Sequence, residues 1–287
     1  MKLFNSLIAV TLVSSTMFFS SCNKTTTTTT DPAQVAFEKA SPSNGGIMYD
    51  KFWATESTFD QANANLANID ANGNFFRCKQ CHGWDGLANT GAYNSRGPKT
   101  TRPNVSGITL YDMAREESAQ TIFNQIKGTT GRRDISYDLS TYDPATNNVE
   151  GDKMPNFSQI LTDAQIWDIV KFLKNGMFDV SELYDATYTG TYPNGTAVFS
   201  NVGRDGNEAN GNVIFTAKCV GCHGADGTII DLEGKTLGKF VRTKPNEAQH
   251  KVKYGHLGSP MTGQFDMTVS EMKDLYKALA NTTNFPD

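Results

Sequence analysis

Apolar residues recur at helical spacing at two late points in the chain. Ile166, Ile169, Val170 and Leu173 form one stripe, with Trp167 and Phe172 beside it. Thr162 and Gln165 ahead of that stripe have the spacing of a capping box, so the pattern predicts a helix starting at Thr162, with Gly176 as its C′ residue. Met272, Leu275, Tyr276 and Leu279 form the second stripe, behind the matching pair Thr268 and Glu271. Upstream of the second stripe, Gly211, Phe215 and Cys219 stand four residues apart, on one face of a predicted helix. A comparable segment, Gly45-Gly46-Ile47-Met48-Tyr49, precedes the first stripe, but an insertion of about 20 residues separates it from Cys78. The chain thus reads as two similar blocks. Each has a helical lead-in, a cysteine motif, a variable loop region, a methionine beside a proline and a final amphipathic helix. Between them, Tyr184 to Asn210 is rich in Gly, Asn and Thr, and Pro193-Asn194-Gly195 reads as the turn of a small hairpin.

The N-terminus breaks this pattern. Lys2 leads a largely apolar stretch from Leu3 to Phe19, followed by Ser20, Ser21 and Cys22, the layout of a secretory signal peptide. Nothing later approaches the ~20 apolar residues of a membrane span. Phe19-Ser20-Ser21-Cys22 resembles a bacterial lipobox, which makes Cys22 a candidate lipid-attachment site and the new N-terminus; ordinary cleavage, with Cys22 incidental, is the alternative. Acyl chains there would hold the chain on a membrane. Six consecutive threonines, Thr25 to Thr30, have no apolar surface to bury and read as a tether, with order beginning near Ala40. The expected division is 1–21 signal, 22–44 tether, 45–180 first domain, 181–206 linker and 207–287 second domain.

Charge excludes one class of partner. Of the 26 Lys and Arg only Lys2 precedes Cys22, so the remainder carries 25 basic and 30 acidic side chains, a formal charge of −5. Nucleic acid is not an expected partner, whereas a basic redox protein is.

Five cysteines are present: Cys22 and two pairs. The pairs lie in Cys78-Lys79-Gln80-Cys81-His82 and Cys219-Val220-Gly221-Cys222-His223, both Cys-x-x-Cys-His, the pattern of covalent haem c attachment. On one helical turn the two thiols reach the two vinyl groups of a porphyrin, and the adjacent imidazole points at the iron. Two such motifs imply two haems. A thioredoxin-like couple would need a βαβ context that the sequence lacks, and a four-cysteine zinc site would leave both histidines unexplained.

The second iron ligands are harder to read. The first block has no histidine besides His82. Met154, in Gly151-Asp152-Lys153-Met154-Pro155, is the leading candidate there, with Met113 as competitor; packing is the ordinary role of either. In the second block Met261, in Gly258-Ser259-Pro260-Met261, holds the matching place beside His223, with His250, His256 and Met267 competing. Arg132 and Arg133 could pair with a haem propionate, and Trp84 could lie against a porphyrin or pack in the core.

With these residues in view, both blocks resemble the class I cytochrome c domain, with Cys-x-x-Cys-His-Gly early, a Met-Pro segment late and a final helix packed across the first. Gly45 to Trp53 and Arg77 to Gly86 also resemble bacterial two-haem cytochromes that include relatives of thiosulfate dehydrogenase. The resemblance implies an all-α fold, mainly helical with long loops, and two cytochrome c-like domains in tandem. It implies electron transfer outside the cytoplasm, on the periplasmic side of a bacterial membrane or the outer membrane, with redox proteins or a membrane respiratory complex as partners. A two-haem oxidoreductase, peroxidase-like or acting on sulfur compounds, with one open haem site is the alternative. The proline precedes Met261 instead of following it, a departure from the family pattern, and no cysteine except Cys22 is spare for the axial role it plays in thiosulfate-oxidising relatives.

Overall fold

The computed structural model describes residues 31–52, 69, 73–99, 102, 104, 107–142, 153–256 and 258–287. The signal segment, Cys22, the threonine run and most of the insertion before Cys78 lie outside the described residues. Helices dominate: α1 (Pro32–Lys39), α2 (Pro42–Lys51), α3 (Cys78–His82), α4 (Leu110–Glu116), α5 (Ala119–Lys127), α6 (Asp163–Lys171), α7 (Glu208–Lys218), α8 (Val220–His223), α9 (Leu237–Thr243), α10 (Pro245–Tyr254) and α11 (Val269–Leu279). Among the described residues no helix is long and apolar enough to cross a membrane.

The first described helix starts at Pro32, eight residues before the expected start of order and inside the stretch expected to be a tether. Packing explains it, since Phe37 meets Trp167 of α6 edge-on at 6.4 Å and Lys171 covers the Phe37 ring.

Both predicted stripes are buried, and both predicted capping boxes form. Thr162 N–H donates to Gln165 Oε1 (2.9 Å) and Thr268 N–H to Glu271 Oε2 (2.8 Å), satisfying helix-end groups that have no partner within the helix. Gly176 does not act as a left-handed cap. It closes a π-turn, Phe172–Gly176, that continues α6.

The two blocks repeat one clamp. In the first, α2 crosses α6 so closely that a Cβ on Gly45 would lie 2.0 Å from the Asp168 carbonyl oxygen. In the second, α7 crosses α11, and a Cβ on Gly211 would lie 1.9 Å from the Asp274 carbonyl oxygen. The same carboxylates cap the crossing helix. Ser41 N–H donates to Asp168 Oδ1 (2.6 Å) and Asn207 N–H to Asp274 Oδ1 (2.6 Å), while Asn44 and Asn210 reach the second oxygens. Glycine is required at both crossings because any side chain would strike backbone.

Two hydrophobic cores result. One gathers residues from Met48 to Met177 together with Tyr254; the other gathers residues from Val180 to Phe285. Between them runs an antiparallel hairpin, β1 (Asp185–Thr189) and β2 (Thr196–Ser200), with Thr189 opposite Thr196. This is the hairpin predicted around Pro193-Asn194-Gly195. It is the one sheet among the described residues, so the fold is mainly helical with a small β connector.

The cores meet at α10. Tyr254 inserts against α2 and the π-turn, its hydroxyl donating to the Gly176 carbonyl (2.7 Å), and a Cβ on Gly46 would stand 2.3 Å from its ring. Gly176 is therefore needed for close approach: a Cβ there would lie 2.7 Å from the Tyr254 hydroxyl.

Candidate haem sites

α3 carries the first motif, and the chain around it fixes its direction. Arg77, at its N-cap position, forms an ion pair with the buried Asp50 at the end of α2 and donates from Nε to the Asp50 carbonyl (2.9 Å). Gly83 ends the turn at φ +77°, a conformation that suits glycine, and its carbonyl accepts from the Tyr49 hydroxyl (2.6 Å). The buried Asp85 carboxylate then accepts from Ala92 N–H (2.9 Å) and Leu87 N–H (3.2 Å), folding the following loop back on the motif.

This places Cys78, Cys81 and His82 on the wall of a cavity of about 530 Å³. Its lining is mainly apolar, with Leu110, Ile122, Phe157 and Leu173 among the contributors, and Met113 and Met154 both reach it. Arg132, Lys153 and Glu117 supply polar groups. Met154 is set by backbone pairing: Arg133 N–H donates to the Met154 carbonyl (2.9 Å) and Asn156 N–H to the Arg133 carbonyl (2.7 Å). Met113 instead projects from α4.

The chemistry of these donors fits a haem. Two thiols, one imidazole and two thioethers converge on one apolar space of ligand-pocket size. Burial pushes the Cys78 thiol up to about 12 and holds the His82 imidazole down at about 4. A neutral imidazole suits iron ligation. A thiol held so far above its usual value is the reverse of a thioredoxin-type nucleophile, and the four described cysteines are free thiols. Among the described residues no group of three or more His, Cys, Asp or Glu side chains is placed to hold a metal ion.

The second motif has the same backbone. Its turn α8 ends at Gly224, φ +78°, with His223 N–H donating to the Cys219 carbonyl (3.0 Å). His223 is buried with no partner for Nδ1, whereas Cys222 is exposed. Ile229 lies beside the motif, its N–H on the His223 carbonyl (3.2 Å) and its side chain 72% exposed, an apolar shoulder next to the thiols. The second site is thus the more open of the two.

Two of the competing donors are packed among apolar and aromatic residues. Met267 is part of the second core. His250 faces the first block, its ring 5.0 Å from Trp84 and 5.8 Å from Tyr49, with Tyr254 and Phe172 completing the box. Met261 and His256 remain, in one loop closed by His256 N–H on the Met261 carbonyl (3.1 Å); Met261 is half-buried and His256 exposed. Trp84 is itself a packing residue, its carbonyl accepting from Gln249 Nε2 of α10 (2.9 Å). Arg132 lines the cavity, while Arg133 lies over the Tyr137 ring at 4.4 Å.

Comparison with protein families assigns both stretches. Residues 71–176, spanning the first motif and Met154, match the model of cytochrome c. Residues 206–277, spanning the second motif and Met261, match that of cytochrome c oxidase, cbb3-type, subunit III. Both stretches are c-type cytochrome domains. Haem-based electron transfer and covalently bound haem c follow for this cytochrome from its domains. Comparison with curated proteins and with solved structures returns no match to it.

The junction of the cytochrome's two cores has a pH signature. Desolvation holds His250 at about 4, opposed by Asp50 and reinforced by Arg77 and Lys79. An unfolded histidine titrates near 6.5, so its contribution is fully present above that pH, is lost as pH falls toward about 4, and is flat below. The full loss is about 3 kcal/mol. Replacing His250 with Phe should flatten the fall in urea midpoint between those values relative to the parent chain; an identical slope would show that His250 is not the group responsible.

Proposed function

We propose that this cytochrome holds two haem c groups, one on Cys78 and Cys81 with His82 as ligand and one on Cys219 and Cys222 with His223. Met154 and Met261 would be the opposite ligands, and the protein would pass single electrons between redox partners outside the cytoplasm. The observation that carries the reading is the first cavity, where both thiols, the imidazole and the thioether of one block meet in an apolar enclosure. The duplicated helix clamp supports a second domain of the same kind, and we take 45–180 and 207–287 as the two domains around a 181–206 connector. The match of the second stretch to an oxidase subunit favours a membrane respiratory complex among the partners. In this reading the leader is removed at Cys22, which carries the lipid that holds the protein on the membrane surface; Cys22→Ser should then move it from the membrane fraction to the soluble fraction.

The openness of the second site gives the alternative some weight, since an iron without a firm second ligand can bind a small molecule. Optical and spin-state spectra of the purified holoprotein, oxidised and reduced, with and without carbon monoxide, test the choice. Two low-spin haems indifferent to carbon monoxide support a pure carrier. One high-spin or carbon-monoxide-binding haem turns the reading toward an oxidoreductase at that site.

A further inference from the structure

Arg102 is completely buried, and all its partners are neutral. Its Nη1 donates to the Arg96 carbonyl and the Tyr192 hydroxyl (3.1 Å), and its Nη2 to Asn89 Oδ1 (2.7 Å). The guanidinium lies 5.0 Å from the Tyr93 ring centre and 5.4 Å from that of Tyr192. Among the described residues no carboxylate pairs with it, and its Nε is buried without an acceptor. A guanidinium withdrawn from water without an anion is costly, so its retention calls for negative charge nearby that the side chains do not supply.

The position of this charge relative to the first motif is defined. Arg96 lies over the same Tyr93 ring at 4.7 Å and donates to Gln80 Oε1 (3.2 Å), and Gln80 stands between the two cysteines. Arg102 lies within electrostatic reach of Cys81, which lines the cavity. Of the acidic groups in this neighbourhood, Asp85 spends its oxygens on the Leu87 and Ala92 amides, and Glu247 pairs with Lys251 (2.9 Å). The connector hairpin completes the cage. Tyr192 comes from its turn, and Asn94 Nδ2 donates to the Thr196 carbonyl (3.1 Å). The second block has nothing comparable in its arginines, since Arg204 pairs with Asp185 and Arg242 with Asp287.

We propose that Arg102 is a positioning charge for the first haem: a buried cation at the cysteine side of the site that favours the reduced iron. The proposal rests on the assignment of that site as a haem site. When ferric iron takes up one electron from an external reductant the site gains one negative charge, and an unscreened cation in a low-dielectric surround stabilises that state over the oxidised one. The hairpin between the blocks then has a function, since it keeps water and counter-ions from Arg102.

The test is a potentiometric titration of the full holoprotein with dithionite and ferricyanide, the two haems resolved by their spectra. Arg102→Gln should lower the midpoint potential of the first haem and leave the second unmoved, while Arg102→Lys, which keeps the charge, should stay near the parent value. Arg102→Met removes the charge with an apolar side chain of similar reach, and should lower it too if the Gln variant fails to fold. Equal shifts in the Lys and Gln variants would mean a packing role and overturn the proposal, as would no shift in any variant or a shift confined to the second haem. Mass spectrometry of the peptide bearing Cys78 and Cys81 separates this outcome from failure of the haem assignment, because a peptide without haem removes the premise itself.

Discussion

Met154→Ala should convert the first haem from a low-spin to a carbon-monoxide-binding site and abolish its sulfur-to-iron charge-transfer band, while Met113→Ala should leave both properties intact. Both thioethers reach the cavity that holds His82, so burial alone does not choose between them. Backbone restraint does. The bridge to Arg133 holds the Met154 carbonyl and brackets Pro155, and the chain then turns through buried Pro155 and Phe157 into α6. An axial ligand must stay at bonding distance through every electron transfer, which favours a donor on a pinned, extended segment. Met113 instead belongs to a short helix, and both side chains are partly buried against the first core. Losing the thioether also lowers the potential of that haem, because a thioether favours ferrous iron more than the water or nitrogen donors that would replace it. A retained band in the Met154 variant and a lost one in the Met113 variant would reassign the ligand.

Gly46→Ala should loosen the junction of the two cores at a cost of about 1–3 kcal/mol, the usual range for overpacking. The added methyl would stand 2.3 Å from the Tyr254 ring, and that ring cannot swing aside while its hydroxyl is held by the Gly176 carbonyl. The sign is informative because Gly to Ala within a helix is otherwise stabilising, by about 1 kcal/mol. The expected readout is a lower melting temperature with separate transitions for the two cores, and earlier proteolytic cutting in the connector. Tyr254→Ala in the same chain should abolish the effect of the added methyl. An unchanged single transition for Gly46→Ala would mean that α10 and α2 can shift apart at little cost.

These expectations divide by their origin. Helix positions, both capping boxes, the hairpin turn and both haem-attachment motifs were readable from residue spacing, because each depends on partners within a few residues of one another. The helix clamp was readable too, though only in retrospect. Ser41, Asn44 and Gly45 match Asn207, Asn210 and Gly211, and Asp168 and Asp274 each stand six residues after the capping threonine. What the sequence could not rank were donors that meet across long separations. His250 and Met267 compete there with the favoured Met261; packing places the one in the aromatic box beside Trp84 and the other in the second core. The helix at Pro32–Lys39 was missed because its support comes from α6, more than a hundred residues away, and its own stripe is weak. Gly176 was read as a cap because glycine fits that role locally, whereas its real constraint is the approach of Tyr254. The sequence by itself determined where the two Cys-x-x-Cys-His motifs stand and that each fits one helical turn, since that depends on residue type and short spacing. The tertiary structure decided which methionines share a cavity, where the blocks join and which arginine loses its counter-ion, because those depend on burial, and burial exists only once distant segments have packed together.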